Sequence, residues 1–219
     1  VWCTFFGGTG DDHINSVTCD AASNVYITGQ TGSTGLATAG TYQTALSGPS
    51  DAFIAKFNGP SASGTNIWIS YYGGSAQEEA FGIATDASNN VVITGQTNSV
   101  IGIATPGAYQ EVLSGTNDAF VAKFNTTAST LSWGTYFGGG GFEQGNGVVC
   151  NPVTGDVAAV GNTSSSSGVA TPNAHQPNYG GGVQDAYVAY FNNAGVLSWS
   201  TYYGGSSLDY GEDICLDPY

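Results

Sequence analysis

Basic residues are almost missing from this sequence. The 219-residue chain has two of them, Lys56 and Lys123, and no arginine, against 16 acidic residues, so its net charge is −14. A nucleic-acid binder needs Lys and Arg to neutralise phosphate, which excludes that class. Methionine is absent and charged residues are only 8%, while glycine numbers 34. Coiled coils and helical bundles have the opposite composition. No apolar run reaches the ~18–20 residues of a membrane-spanning helix. A hydrophobic content of 41% is too high for a disordered acidic tail. None of the four cysteines forms a Cys-x-x-Cys pair, and His13 and His175 lack metal-ligand spacing, so zinc-ribbon and thioredoxin-like motifs are missing. There is no Ser-His-Asp, Cys-His, Walker or dinucleotide-binding context. The chain opens Val1-Trp2-Cys3 without Met or a basic leader, which reads as a mature, cleaved or excised start.

What is present is a repeat. Trp2, Trp68, Trp133 and Trp199, the four tryptophans of the chain, are spaced by 66, 65 and 66 residues. Each opens the same phrase: Trp2-Cys-Thr-Phe-Phe-Gly-Gly, Trp68-Ile-Ser-Tyr-Tyr-Gly-Gly, Trp133-Gly-Thr-Tyr-Phe-Gly-Gly and Trp199-Ser-Thr-Tyr-Tyr-Gly-Gly. Further on, Asn24-Val-Tyr-Ile-Thr-Gly-Gln-Thr recurs from Asn90 and, with drift, from Asp156. Asp51-Ala-Phe-Ile-Ala-Lys-Phe-Asn recurs from Asp118 and Asp185. No linker or composition shift interrupts the array, so it reads as one domain of units 2–67, 68–132 and 133–198, with 199–219 a partial unit.

Each unit holds four β-branched or aromatic runs bounded by Gly, Asn, Asp and Pro. In the second unit they span about 81–86, 90–96, 118–125 and 131–138. An Asx residue (Asp20, Asp86, Asn151, Asp217) opens the turn between the first two runs, where its side chain can bond the backbone two residues on. The runs are apolar on both faces, as in sheets covered on both sides. A four-stranded antiparallel sheet repeated radially is a β-propeller blade. The expectation is therefore an all-β array of three full blades. The inner strands lie near Val17, Ile83, Val148 and Ile214, and the Trp-bearing strand is outermost. Half-blade strands at 1–7 and about 211–217 bring the expected total to fourteen.

The units resemble the SBBP repeat, a family named for the seven-bladed β-propeller. The likeness rests on Gly82-Ile-Ala-Thr-Asp86, Thr105-Pro-Gly-Ala-Tyr-Gln110 and Asp118-Ala-Phe-Val-Ala-Lys123, and it covers essentially the whole chain. It implies a propeller fold and a secreted or cell-surface setting, without catalytic residues. The third unit departs from the pattern at Asn151-Pro-Val-Thr-Gly, at Tyr190 in place of Lys and at His175 in place of Tyr, and the copy number is about half of seven.

Several recurring residues are candidates for function. An acidic residue follows each Trp by ten positions: Asp12, Glu78, Glu143 and Asp209. The four read either as a carboxylate ring at a channel mouth, able to bind Ca²⁺ or supply a glycosidase-type pair, or as local caps on backbone N–H groups. Equal use in every unit favours the caps, because a catalytic pair singles out two units. Asp51, Asp118 and Asp185, which open the third strand of each unit, read either as surface recognition or, favoured, as structural acids bonding turn amides or a neighbouring blade. Loops of about 20 residues contain Tyr42-Gln43, Tyr109-Gln110 and His175-Gln176 at one equivalent position, either as a packed turn or as partner contacts.

Cys19 and Cys150 share one position in inner strands, and Cys3 and Cys215 lie in the two partial units. A Cys3–Cys215 bridge would staple those strands or join one chain to the next; the alternative is free thiols. Asn125-Thr-Thr and Asn162-Thr-Ser match the N-glycosylation pattern. These readings converge on a non-enzymatic, extracellular structural or adhesive module. Its partners would be other copies of itself, joined through unpaired terminal strands into a ring or filament, or the rest of a longer propeller. The alternative is a module binding surface glycans or Ca²⁺, and then a propeller glycoside hydrolase.

Overall fold

The computed structural model describes residues 2–59 and 65–217; Val1, Pro218 and Tyr219, which belong to the expected partial units, lie outside that range. The described residues form twelve strands and no helix. These are β1 Asp12–Cys19, β2 Val25–Thr31, β3 Asp51–Phe57, β4 Asn66–Tyr72, β5 Glu78–Thr85, β6 Val91–Thr97, β7 Asp118–Phe124, β8 Leu131–Phe137, β9 Glu143–Cys150, β10 Val157–Thr163, β11 Asp185–Phe191 and β12 Leu197–Tyr203. They make three four-stranded antiparallel sheets, β1-β2-β3-β4, β5-β6-β7-β8 and β9-β10-β11-β12. Strand order along each sheet follows chain order, so hydrogen-bonded neighbours are joined by hairpin-type connections.

The Asx turns form as the sequence predicts. Asp20 Oδ1 accepts from Ala22 N, Asp86 Oδ1 from Ser88 N and Asn151 Oδ1 from Val153 N, at 3.0, 2.9 and 2.8 Å. The positive φ of Ser23 (63°) and Asn89 (61°) closes the first two turns. Register slips recur at equivalent places. One lies between Lys56 and Phe57, repeated at Lys123/Phe124 and Tyr190/Phe191, where the third strand meets the fourth.

The apolar runs on both strand faces have a direct cause: the sheets pack face to face. One core joins the first sheet (Tyr26, Ile54, Trp68, Tyr72) to the second (Ile93, Phe120, Phe124). Another joins the second (Val92, Val121, Trp133, Phe137) to the third (Val157, Tyr187, Phe191). The central sheet is therefore covered on both sides, and every residue of β7 is buried. Each wholly buried Phe or Tyr there contributes on the order of 1.5–3 kcal/mol relative to exposure. β1 lies beside β5 and β5 beside β9, so the first strands of successive sheets are neighbours.

Residues 2–7 and 211–217 are not strands, which corrects the expected fourteen. A strand needs a ladder partner, and among the described residues neither segment has a second strand beside it to pair with. Both nevertheless follow the repeat. Phe6 stacks on Phe53 at 4.5 Å, as Phe137 of β8 lies 4.8 Å from Tyr187. Gly211 donates to Asn162 Oδ1 and accepts from Asn146 Nδ2, as Ala80 O of β5 accepts from Asn15 Nδ2.

Candidate functional site

Glu78 and Glu143 sit where one sheet passes to the next, and Asp12 and Asp209 occupy the equivalent positions before the first sheet's strand ladder and after the last. Glu78, at the start of β5, is fully buried. Its Oε1 accepts from Thr97 Oγ1 at 2.6 Å and its Oε2 from Gly74 N at 2.8 Å. Glu143 repeats this with Thr163 Oγ1 and Gly139 N at the same distances. Asp12, one carbon shorter, accepts from Thr31 Oγ1, Ser33 Oγ and Gly8 N, and Asp209 accepts from Gly205 N at 2.8 Å. Each carboxylate thus caps the Gly-Gly turn that precedes it, and the hydroxyls that bond Asp12, Glu78 and Glu143 come from the same unit. Among the described residues no group of three His, Cys, Asp or Glu comes close enough to hold a metal ion.

A second buried acid faces each junction. Asp51 accepts from Ser47 N, Gly48 N and Gln43 Nε2, the last at 2.6 Å. Gln43 Oε1 in turn accepts from Gly73 N at 3.0 Å. Gly73 lies between the two acids: a methyl group there would collide with both Glu78 and Asp51. Gln110, Asp118, Gly138 and Glu143 repeat the set. Burial raises the pKa of Asp51, Glu78, Asp118 and Glu143; bonds to the carboxylates offset part of this, and the facing Asp51 or Asp118 charge pushes Glu78 or Glu143 further up. In the third unit Gln176 Nε2 is 3.4 Å from Asp185, whose Oδ1 is buried without a hydrogen-bond partner. The Thr-x-Ser triplets Thr31–Ser33, Thr97–Ser99 and Thr163–Ser165 are half of this network. Sequence reasoning missed them, although their recurrence 29, 29 and 30 residues after the Trp was a usable signal.

The long-loop residues are junction clamps. Tyr42 packs against Tyr72 of its own sheet and Phe124 of the next, with ring centroids at 6.4 and 5.7 Å. Tyr109 bridges Phe137 and Phe191 in the same way. His175 touches Tyr203 alone of these equivalents, and among the described residues no sheet lies beyond β12. Gln43, Gln110 and Gln176 are the amides that bind the Gly-Gly turns.

Both lysines are spent on internal ion pairs, which the sequence did not single out. Lys123 Nζ lies 2.9 Å from Asp86 Oδ2, with both side chains nearly inaccessible. It also donates to Asn193 Oδ1 and Gly155 O of the third sheet, at 2.6 and 3.1 Å. Lys56 lies 3.6 Å from Asp20 and over the Tyr26 ring. In the third unit Tyr190 replaces the lysine, and its hydroxyl donates to Asp156 at 3.2 Å.

All four cysteines are free, so of the two readings of the cysteines the structure shows the free thiols and not the Cys3–Cys215 bridge. Cys3, Cys19 and Cys215 are exposed; Cys150 is buried, and that burial pushes its thiol up to about 12. Asn162 is buried in β10 with its Oδ1 bonded to Gly211 N, a poor acceptor geometry for a glycan. Asn125 is accessible, but its amide is tied into a turn with Ser129 and Thr130.

Two open features remain. Shallow polar hollows lined by His13, Gln30, Gln77, Gln96, Asn98 and Asn117 follow the junctions between first strands. The outer face of the third sheet carries Trp199 at 44% and Tyr203 at 65% exposure, where Trp68 and Trp133 are at 5% and 7%. No protein-family model matches the sequence, and no curated protein matches it.

Proposed function

We propose that the chain is a non-enzymatic structural module of an extracellular protein, with its three sheets arranged as blades of an SBBP-type β-propeller, and that it works by associating with further copies of itself. The observation that carries this reading is the asymmetry of the outer sheets. The surface buried twice inside the chain, around Trp68 and Trp133, is left open around Trp199 and Tyr203. The acids that could have served catalysis are engaged in capping turns, which supports a structural role for them. The acidic, lysine-poor surface and the repeat resemblance support the extracellular setting.

Light scattering on a size-exclusion column, with negative-stain images of the same sample, tests the proposal. The sample is kept in reductant, because Cys3, Cys19 and Cys215 are exposed thiols. Rings or filaments that persist in reductant are the expected result. A strictly monomeric protein at every concentration refutes the self-associating module. The row of amides along the junction hollows favours a second reading, a glycan-binding surface. Amide groups donate and accept in pairs that match sugar hydroxyls. Saturable oligosaccharide binding lost on Gln77→Ala or Gln96→Ala, without oligomers, selects that reading.

A further inference from the structure

The two outer sheets present complementary halves of an interface that the chain already makes twice. At each internal junction the aromatic four residues after the Trp sits on two rings of the next sheet's third strand, and at the second junction the Trp joins it. Trp133 and Phe137 lie on Phe191 and Tyr187, at 6.0 and 4.8 Å between centroids. Tyr72 lies on Phe120 at 5.2 Å. The equivalent rings of the first sheet, Phe53 and Phe57, are occupied by the chain's own N-terminal segment. Phe6 stacks on Phe53 at 4.5 Å and Trp2 lies 6.1 Å from Phe57. The segment is tied down by Gly8 N to Asp12 and Gly10 N to Ser33 Oγ, both 2.8 Å. It has no ladder to hold it, whereas β4 and β8 are hydrogen-bonded along their length to the sheets that carry them.

Resting on the self-association reading above, we infer that residues 2–8 are a resident competitor for that association. In the assembled state Trp199 and Tyr203 of a second copy take the places of Trp2 and Phe6 on Phe57 and Phe53. The incoming β1 then takes the place of residues 209–217 on the third sheet. That inner-strand site now holds Gly211 through Asn162 and Asn146. Val17 of β1, 64% exposed here, becomes buried as Ile83 and Val148 already are, at 6% and 8%. The occupant is a second copy because the surface to be covered is a repeat of surfaces that sheets of this chain cover. The competing segment raises the concentration at which the head-to-tail contact forms the expected rings or filaments.

The test is analytical ultracentrifugation of the full chain in reductant over a concentration series, with circular dichroism confirming the fold of each variant. Phe6→Ala loosens the segment and is expected to tighten self-association about tenfold, the equilibrium equivalent of one partly buried ring. Trp199→Ala with Tyr203→Ala is expected to weaken it about a hundredfold or more, as loss of paired aromatic anchors does. A peptide of residues 1–8 with Cys3→Ser, added in trans to Phe6→Ala, is expected to return it toward monomer. Added salt strengthens every association, because it screens two bodies of charge −14. If the parent chain associates but Phe6→Ala weakens or leaves that association unchanged, the segment is not a competitor, while the assembly reading survives. If no form associates at any concentration, both fall. If Phe6→Ala associates and Trp199→Ala/Tyr203→Ala does not reverse it, the docking face is wrong.

Discussion

The two lysines offer a sharp comparison, because the same residue at the same repeat position has different surroundings. Replacing Lys123 by Met keeps the length and removes the charge. The Asp86 carboxylate then stays buried, 6% accessible, having lost a cation at 2.9 Å. Asn193 Oδ1 and Gly155 O lose a donor too, so the joint between second and third sheets loosens. Removing one partner of a buried pair costs about 3–5 kcal/mol. Asp86 keeps bonds from Ser88 N, Asn90 N and Asn90 Nδ2, which places the expectation near the lower end, about 3 kcal/mol. The Lys56–Asp20 pair is longer, 3.6 Å, and although Asp20 is 0% accessible it keeps bonds from Ala22 N, Asn24 N, Asn24 Nδ2 and Tyr26 Oη, so Lys56→Met should cost less, about 1 kcal/mol. Urea unfolding followed by tryptophan fluorescence reads both values. A cycle with Asp86→Asn isolates the pair term, and the double variant should be less destabilised than the two single losses added together. Equal losses at Lys56 and Lys123, or a loss under about 1 kcal/mol at Lys123, refute the argument that the closer contact and the bonds to Asn193 and Gly155 decide the worth of the lysine.

Other outcomes follow from the same geometry. Asp51, Glu78, Asp118 and Glu143 have folded pKa values raised by burial, so the folded state takes up protons more readily than the unfolded chain. Their contribution to stability is present at low pH and lost as pH rises through the folded values. Asp20 and Asp86 act in the opposite sense: burial pulls them up, but bonds from Asn24 or Asn90 and the lysine charge outweigh it, so their contribution fades on acidification. The melting temperature should therefore peak on the acid side of neutrality, and Glu78→Gln with Glu143→Gln should flatten that rise in a calorimetric pH series. Tyr187 buries a hydroxyl without a partner, where the earlier units have Phe53 and Phe120. Tyr187→Phe is expected to stabilise by about 1 kcal/mol in urea unfolding. Gly138→Ala drives a methyl into Glu143 and Asp118 and should destabilise by about 1–3 kcal/mol, whereas Gly140→Ala, with open space around it, should be nearly neutral in the same assay.

What repeats along this chain was legible in the sequence. The tryptophan period, the Asx turns and the runs apolar on both faces predict three four-stranded antiparallel sheets. Strand order within each sheet and the turn bonds follow from them, because each unit pairs its own strands in the same way. Candidate residues at repeat positions were legible as positions and less so as roles. Equal spacing showed that Asp12, Glu78, Glu143 and Asp209 do one job, and the structure identifies it as capping a Gly-Gly turn. Tyr42 and Tyr109 turned out to clamp neighbouring sheets because a loop of about 20 residues can reach the next sheet, and no local pattern reports that reach.

The ends were decided by tertiary structure alone. Residues 2–7 and 211–217 carry strand-forming sequence, but a strand exists only where a ladder partner stands beside it. The identical Trp phrase is buried at Trp68 and Trp133 and open at Trp199 for the same reason: sequence sets what a surface can bind, and the neighbour sets whether it is covered.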